Sequence, residues 1–175
     1  MLEVEFNHIY HQHSKLVYNV CLNYLQNTSD AEEACQNVFV KVYHKYDSFK
    51  QDSEVKTWIY RIAINECLDQ IKARKRNKRN PFLSILSFGN EDVIVAKELN
   101  HPGIILEEKE SMEKIFKALN ELSENQKTAV LLKSMEGLSQ KEIAAVMNLS
   151  EKAIESLLSR ARANLKIKLD DNEGK

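Results

Sequence analysis

The chain has 175 residues, 43% hydrophobic and 29% charged, with a formal net charge of −1. That is the balance of a globular protein with apolar material for one ordinary domain or two small ones, and four Gly and two Pro argue against a turn-rich β protein. No run approaches the ~18 apolar residues of a membrane span, and "MLEVEFNHIYHQHSK" lacks the basic and apolar regions of a secretory signal, so the expectation is a cytoplasmic protein without membrane insertion.

The first predicted helix, Val4 to Leu25, places Phe6, Ile9, Tyr10, Leu16, Val17, Val20, Cys21 and Tyr24 at helical spacing with one lapse. Helical geometry sets its His8 and His11 near each other and turns His13 away. No Cys or acid joins them at ligand spacing, so neither a metal site nor a cofactor is expected. Cys21, Cys35 and Cys67 are odd in number and widely spaced, which reads as small buried hydrophobes in a reducing compartment.

"NTSDAEEACQNVFVKVYHKY" begins a second helix, with Ser29 and Glu32 at capping-box spacing and Ala31, Ala34, Cys35, Val38 and Val42 in one stripe. The polar "DSFKQDSE" interrupts the pattern. "VKTWIYRIAINECLDQIKARKR" resumes it as a third long helix, apolar on more than one face and so largely buried until its basic end. That end, with Lys72, Arg74, Lys75, Arg76, Lys78 and Arg79 and no acid among them, is either a solvated helix terminus or a footprint for phosphates.

Charge is unevenly distributed. Residues 1–80 carry 12 basic and 10 acidic side chains, residues 81–110 carry 2 and 6, and residues 111–175 carry 11 and 10. The acidic middle holds both prolines and no persistent helical period, so 81–110 reads as a linker between two domains. It also holds apolar clusters, Phe82-Leu83 with Ile85-Leu86 and Val93-Ile94-Val95.

Beyond it, Met112, Ile115, Phe116 and Leu119 make one helix face. Ser123 with Gln126, and Ser139 with Glu142, restart helices by capping boxes, and Gly137 stops the helix between them. Asn148 suits a left-handed residue ending the short helix "QKEIAAVM". Ser150 caps the last helix, Leu149 and Ile154 take the staple positions, and Ile154, Leu157, Leu158, Ala161 and Leu165 form its apolar face. A short helix, a tight turn and a capped longer helix make either a helix-turn-helix or a plain αα-hairpin. Opposite the apolar face lie Lys152, Glu155, Ser156, Ser159 and Arg162. Their short hydroxyls permit close approach to base edges, and Arg160 and Arg162 lie where phosphates would be met.

With these residues in view, "LSQKEIAAVMNLSEKAIESLLSRARANL" resembles the C-terminal DNA-binding domain of the extracytoplasmic function (ECF) sigma factors. "DAEEACQNVFVKVYHKYDSF" resembles that family's core-polymerase-binding helix, and "TWIYRIAINECLDQIKARKR" its promoter-melting helix. The resemblance implies an all-α protein of two small helical domains joined by a flexible linker. Residues 1–80 would form a sigma-2-like domain, 81–110 the linker, 111–170 a sigma-4-like helix-turn-helix domain and 171–175 a tail. It implies no enzyme but a transcription initiation factor, with three partners: core RNA polymerase (the clamp helices of its largest subunit), promoter DNA and an anti-sigma factor.

By the same resemblance, Asp30, Glu33, Gln36, Asn37, Val40 and Lys41 would meet polymerase, although family members usually carry an acid at the Asn37 position. Phe49 and Asn65 would take a base extruded from the −10 element, beside Thr57, Trp58 and Arg61, with core packing the preferred reading of Trp58 over direct DNA contact. Lys72, Arg74, Lys75 and Arg76 would hold the DNA backbone. At the −35 element Lys152, Glu155, Ser156 and Ser159 would face base edges, and Lys133, Gln140, Lys141, Arg160 and Arg162 phosphates. Glu155 departs from the family's usual basic residue. It either accepts from a cytosine N4 or pairs with Lys152 or Arg162 and touches no base. The alternative function, a stand-alone helix-turn-helix regulator, would need a receiver or ligand domain with alternating strands.

Overall fold

The computed structural model describes residues 3–49, 53–78 and 106–173. The linker clusters from Phe82 to Val95, Arg79 of the basic run and the last two residues of the tail lie outside the described residues. Those described are helical, with no strand among them, and the chain divides into two compact units, 1–95 and 96–175.

The first unit is a bundle of α1 (Glu3–Leu25), α2 (Thr28–Lys45) and α3 (Val55–Lys78), each packed on the other two. Its core follows the apolar spacing. Ile9, Val17, Val20 and Cys21 of α1 meet Ala31, Ala34, Val38 and Val42 of α2 and Ile59, Ala63 and Cys67 of α3, all buried. A truncation such as Ile59→Ala in such a core costs about 2–5 kcal/mol, from lost transfer energy and the cavity left behind. The two interior alanines of α2 leave room for close helix approach. α1 ends at Leu25, and the positive φ of 55° at Gln26 beyond it reverses the chain. Here the capping expectation needs correction: Asn27 is the N-cap of α2, and its side-chain oxygen accepts from the Asp30 N–H at 2.9 Å. Ser29 lies inside the helix, because an Asn at the turn is at least as good an acceptor as the serine two residues on. A single 3₁₀ turn, Tyr46–Ser48, follows α2, with the Ser48 hydroxyl donating to the Lys45 carbonyl at 2.7 Å.

The three cysteines form no disulfide. Cys21 and Cys67 are buried and Cys35 half-buried, all as free thiols. The hydrogen bond with Cys67, together with burial, pushes the Cys21 thiol far up, and burial raises Cys35 to about 11. These are unreactive thiols at neutral pH. His13 is buried while His8 and His11 are exposed, and no metal-binding group occurs among the described residues.

The second unit holds α4 (Leu106–Asn120), α5 (Glu124–Ser134), α6 (Gln140–Met147) and α7 (Glu151–Glu173). The first of these begins inside the stretch read as linker. Helix α7 packs against the other three, through a core that includes Phe116, Leu119, Leu131, Leu132, Ile143, Val146, Ile154 and Ala161. Leu157, Leu158 and Leu165 are only half-buried, so the apolar face of α7 is narrower than its sequence suggests. The restarts are as read, with two differences. Ser139 and Glu142 form a full capping box, Asn148 adopts φ 54°, ψ 47°, and Ser150 accepts from the Ala153 N–H at 3.2 Å. Gly137 has φ +67°. Ser123 caps α5, but the Gln126 side-chain oxygen accepts from Asn164 of α7 at 3.3 Å, tying the two helices together. Leu149 remains 40% exposed, so the staple to Ile154 buries little of it.

Candidate nucleic-acid interface

Four groups of side chains stand out, three in the first unit and one in the second. At the junction of α2 and α3, Phe49 stacks on Trp58 with centroids 4.9 Å apart and planes 29° apart. Tyr46 meets Trp58 edge-on at 6.3 Å. The Tyr46 phenol donates to Glu5 of α1, which holds its pKa above the usual value. Thr57, Trp58 and Arg61 are half-buried, and Asn65 is exposed. Trp58, Arg61 and Asn65 recur at helical spacing along one side of α3, leading away from the aromatic pair. Trp58 is half-buried against Phe49 and Tyr46, in agreement with its reading as a packing residue. Tyr46 was not among the expected residues; the signal was an aromatic three positions before Phe49, on the same turn.

At the other end of α3, Lys72, Arg74, Lys75 and Arg76 are exposed at the helix C-terminus, where cations complement the dipole. Arg74 is committed within the unit: its Nη2 lies 2.5 Å from Asp30 Oδ1.

The expected polymerase-facing residues of α2 divide in two. Glu33, Gln36 and Val40 point outward, Val40 being 56% exposed. Asp30, Asn37 and Lys41 lean onto α3. Asn37 donates to Glu66 Oε1 at 3.1 Å, and Lys41 pairs with Glu66 Oε2. Gln70 also donates to Oε1, at 3.1 Å. Burial pushes the Glu66 pKa up, but the bonds from Lys41, Gln70 and Asn37 outweigh it and hold the carboxylate below its usual range. Glu66 was missed in sequence. Its signal was an acid in the apolar run "RIAINECL", a placement that demands partners.

In the second unit, α6 and α7 meet at a tight turn built by Asn148 and Ser150. Lys152, Glu155, Ser156, Ser159, Arg160 and Arg162 are all exposed on α7, and Gln140 and Lys141 at the start of α6. The Arg160 Nε donates to the Ser156 carbonyl at 3.2 Å. Lys133 is exposed, but its ammonium donates to the Leu138 carbonyl at 3.3 Å and so helps hold the turn before α6. Among the described residues no ion pair or side-chain hydrogen bond engages Glu155. Glu151 sits in the first turn, where a carboxylate complements the helix dipole.

Comparison with known proteins matches these two units separately. Residues 9–77 fit the family model for sigma-70 region 2, and residues 112–165 that for sigma-70 region 4. The ECF RNA polymerase sigma-E factor of Escherichia coli (strain K12) is 31% identical over 136 residues, 77% of this chain and 71% of the relative. The ECF sigma factor SigW of Bacillus subtilis is 27% identical over 159 residues, 89% and 83% of the two chains. Among solved structures, the sigma factor RpoE of Bartonella quintana, determined with its anti-sigma factor NepR, shares the fold with a TM-score of 0.67 at 24% identity, over 95% of this chain and 97% of that one. CnrH, determined with the cytosolic domain of CnrY, gives 0.69 at 24% identity, over 97% and 90%.

The two units, in this order, define a sigma-70-type transcription initiation factor. Within that class, the chain belongs to the ECF sigma factors.

Proposed function

We propose that the first unit, residues 1–80, binds core RNA polymerase through the outer face of α2 and opens the −10 element, and that the second, residues 111–170, reads the −35 element as duplex. Residues 81–110 would join them and 171–175 form a tail. The observation that carries this reading is the occurrence on one chain of a region 2 match followed by a region 4 match, which a stand-alone regulator has no reason to contain.

Glu33, Gln36 and Val40 supply the outward part of the polymerase surface, toward the clamp helices of the largest subunit, and Asp30, Asn37 and Lys41 its border with α3. At the −10 element an extruded base costs a few kcal/mol to unstack. The Phe49–Trp58 stack offers an aromatic face, worth about 1–3 kcal/mol per stacked base, and Asn65 an amide for a base edge. Thr57 and Arg61 flank that face, and Lys72, Lys75 and Arg76 supply charge for the backbone. At the −35 element Ser156 and Ser159 let α7 approach the major groove, Lys152 and Glu155 face base edges, and Gln140, Lys141, Arg160 and Arg162 meet phosphates. Glu155, exposed and without an ion-pair partner among the described residues, accepts from a cytosine N4.

Near-neutral overall charge fits a factor whose DNA affinity comes mostly from the polymerase, so the free protein binds duplex weakly and with strong salt dependence. One sigma factor that shares this fold, RpoE of Bartonella quintana, was solved with the anti-sigma factor NepR. That supports an anti-sigma partner here, in the cytoplasm; no described helix is long and apolar enough to cross a membrane. The test is Val40→Asp. It places a charge on an exposed site, so the fold is kept while co-elution with core polymerase is lost. Unchanged co-elution would remove α2 from the interface.

A further inference from the structure

Glu66 is 7% exposed, yet it is a carboxylate with three donors from two helices. The apolar α2–α3 contact does not require it. Ala34 and Val38 of α2, with Ile59 and Ala63 of α3, are already completely buried. The two α2 donors, Asn37 and Lys41, are one turn apart and border the outward residues Glu33, Gln36 and Val40. The Lys41 side chain is 40% exposed, so Glu66 grips a long surface side chain from beneath and holds its ammonium at one place. A flexible lysine ordered in advance loses less freedom when a partner binds.

We infer that Glu66 is a positioning residue for polymerase binding: from α3 it fixes Asn37 and Lys41 in the arrangement that the polymerase meets on α2. The proposal rests on the reading of α2 as the polymerase surface. It assigns to the promoter-side helix a part in polymerase affinity, through a residue too buried to make the contact itself.

The isosteric change Glu66→Gln separates this from a purely structural role. A carboxamide oxygen still accepts from Asn37 and Gln70, whereas its NH2 group faces the Lys41 ammonium, donor to donor, and releases it. The experiment titrates the full chain against core RNA polymerase stripped of sigma, for wild type, E66Q, K41M and E66Q/K41M, with thermal unfolding in parallel. E66Q and K41M are each expected to bind roughly three- to tenfold more weakly. The double variant should be no weaker than K41M alone, because both changes remove one arrangement. If E66Q does not fold, Glu66→Asp, which keeps the charge but withdraws it from Lys41, carries the same expectation. Folded E66Q binding as wild type does, or a double variant weakened by the product of the single effects, would overturn the proposal while leaving the polymerase surface on α2 intact. Failure of the wild-type chain to bind core polymerase would overturn the proposed function and this inference with it.

Discussion

Arg74 Nη2 lies 2.5 Å from Asp30 Oδ1, joining the basic end of α3 to the first turn of α2. One residue belongs to the proposed DNA-facing run, the other to the proposed polymerase-facing helix. With Lys41 and Asn37 meeting Glu66 further along, the two helices run antiparallel and share a polar border in which the charges cross over: acid to base at one end, base to acid at the other.

Asp30 therefore neutralises Arg74 in the free protein. The side chains are 26% and 45% exposed, so the pair contributes only about 0–1 kcal/mol to stability. In fluorescence anisotropy with a random duplex, Asp30→Asn is expected to steepen the dependence of log K on log salt by about 0.9, one additional phosphate contact. Arg74→Ala in the same background should abolish the increment. An unchanged slope in Asp30→Asn would mean that Arg74 is already available to DNA.

The Phe49–Trp58 stack makes a prediction about strand opening. Loss of one stacking partner is worth about 1–3 kcal/mol. Phe49→Ala in holoenzyme should therefore reduce open complexes roughly five- to 150-fold, read by permanganate reactivity of −10 thymines, with −35 protection retained. Loss of −35 protection would show that the substitution acts by unfolding.

Gly137 reverses the chain between α5 and α6 at φ +67°, and a Cβ there would meet nothing within 4 Å. The cost of an L side chain is thus conformational alone. Gly137→Ala should destabilise by about 1–2 kcal/mol, and Gly137→Asn by less, since Asn tolerates the left-handed region. Chemical denaturation of the whole chain, followed by a probe in the second unit, measures both. Equal costs for the two would point to a contact instead.

His13 and Glu66 both make stability depend on pH in the acidic range. Burial, then Lys56 and His8, hold the His13 pKa below 6.5, so the unfolded chain takes up this proton more readily than the folded one. Stability from His13 is whole above about pH 6.5 and declines as pH falls toward the folded pKa. Glu66, also held below its usual value, contributes fully above the ordinary glutamate range, and that contribution is lost as pH falls through its folded pKa. Thermal unfolding from pH 8 to 4 should show both declines in wild type, with His13→Gln lacking the upper one. An identical profile for the variant would remove His13 as its source.

Local chemistry was the most legible part of the sequence. The caps at Ser139 and Ser150 and the left-handed Asn148 are set by neighbours within three residues, and each is found as read. Asn27 displaced Ser29 because two good capping residues stood two positions apart and pattern alone could not rank them. The start of α4 at Leu106 was hidden by a stretch without apolar periodicity. The Glu66 group was illegible for another reason. Its partners on α2 lie 25 and 29 residues away, and only the crossing of two helices brings them together. The same applies to Asn164 and Gln126, 38 residues apart.

As a sigma factor, this chain is expected to confer promoter choice on RNA polymerase. The most direct test is transcription in vitro with sigma-free core polymerase and genomic DNA, with the transcript starts mapped. New starts are expected that share one upstream duplex motif and one −10 motif, with base preference at one upstream position changed by Glu155→Ala. Starts no different from those of core polymerase alone would contradict it.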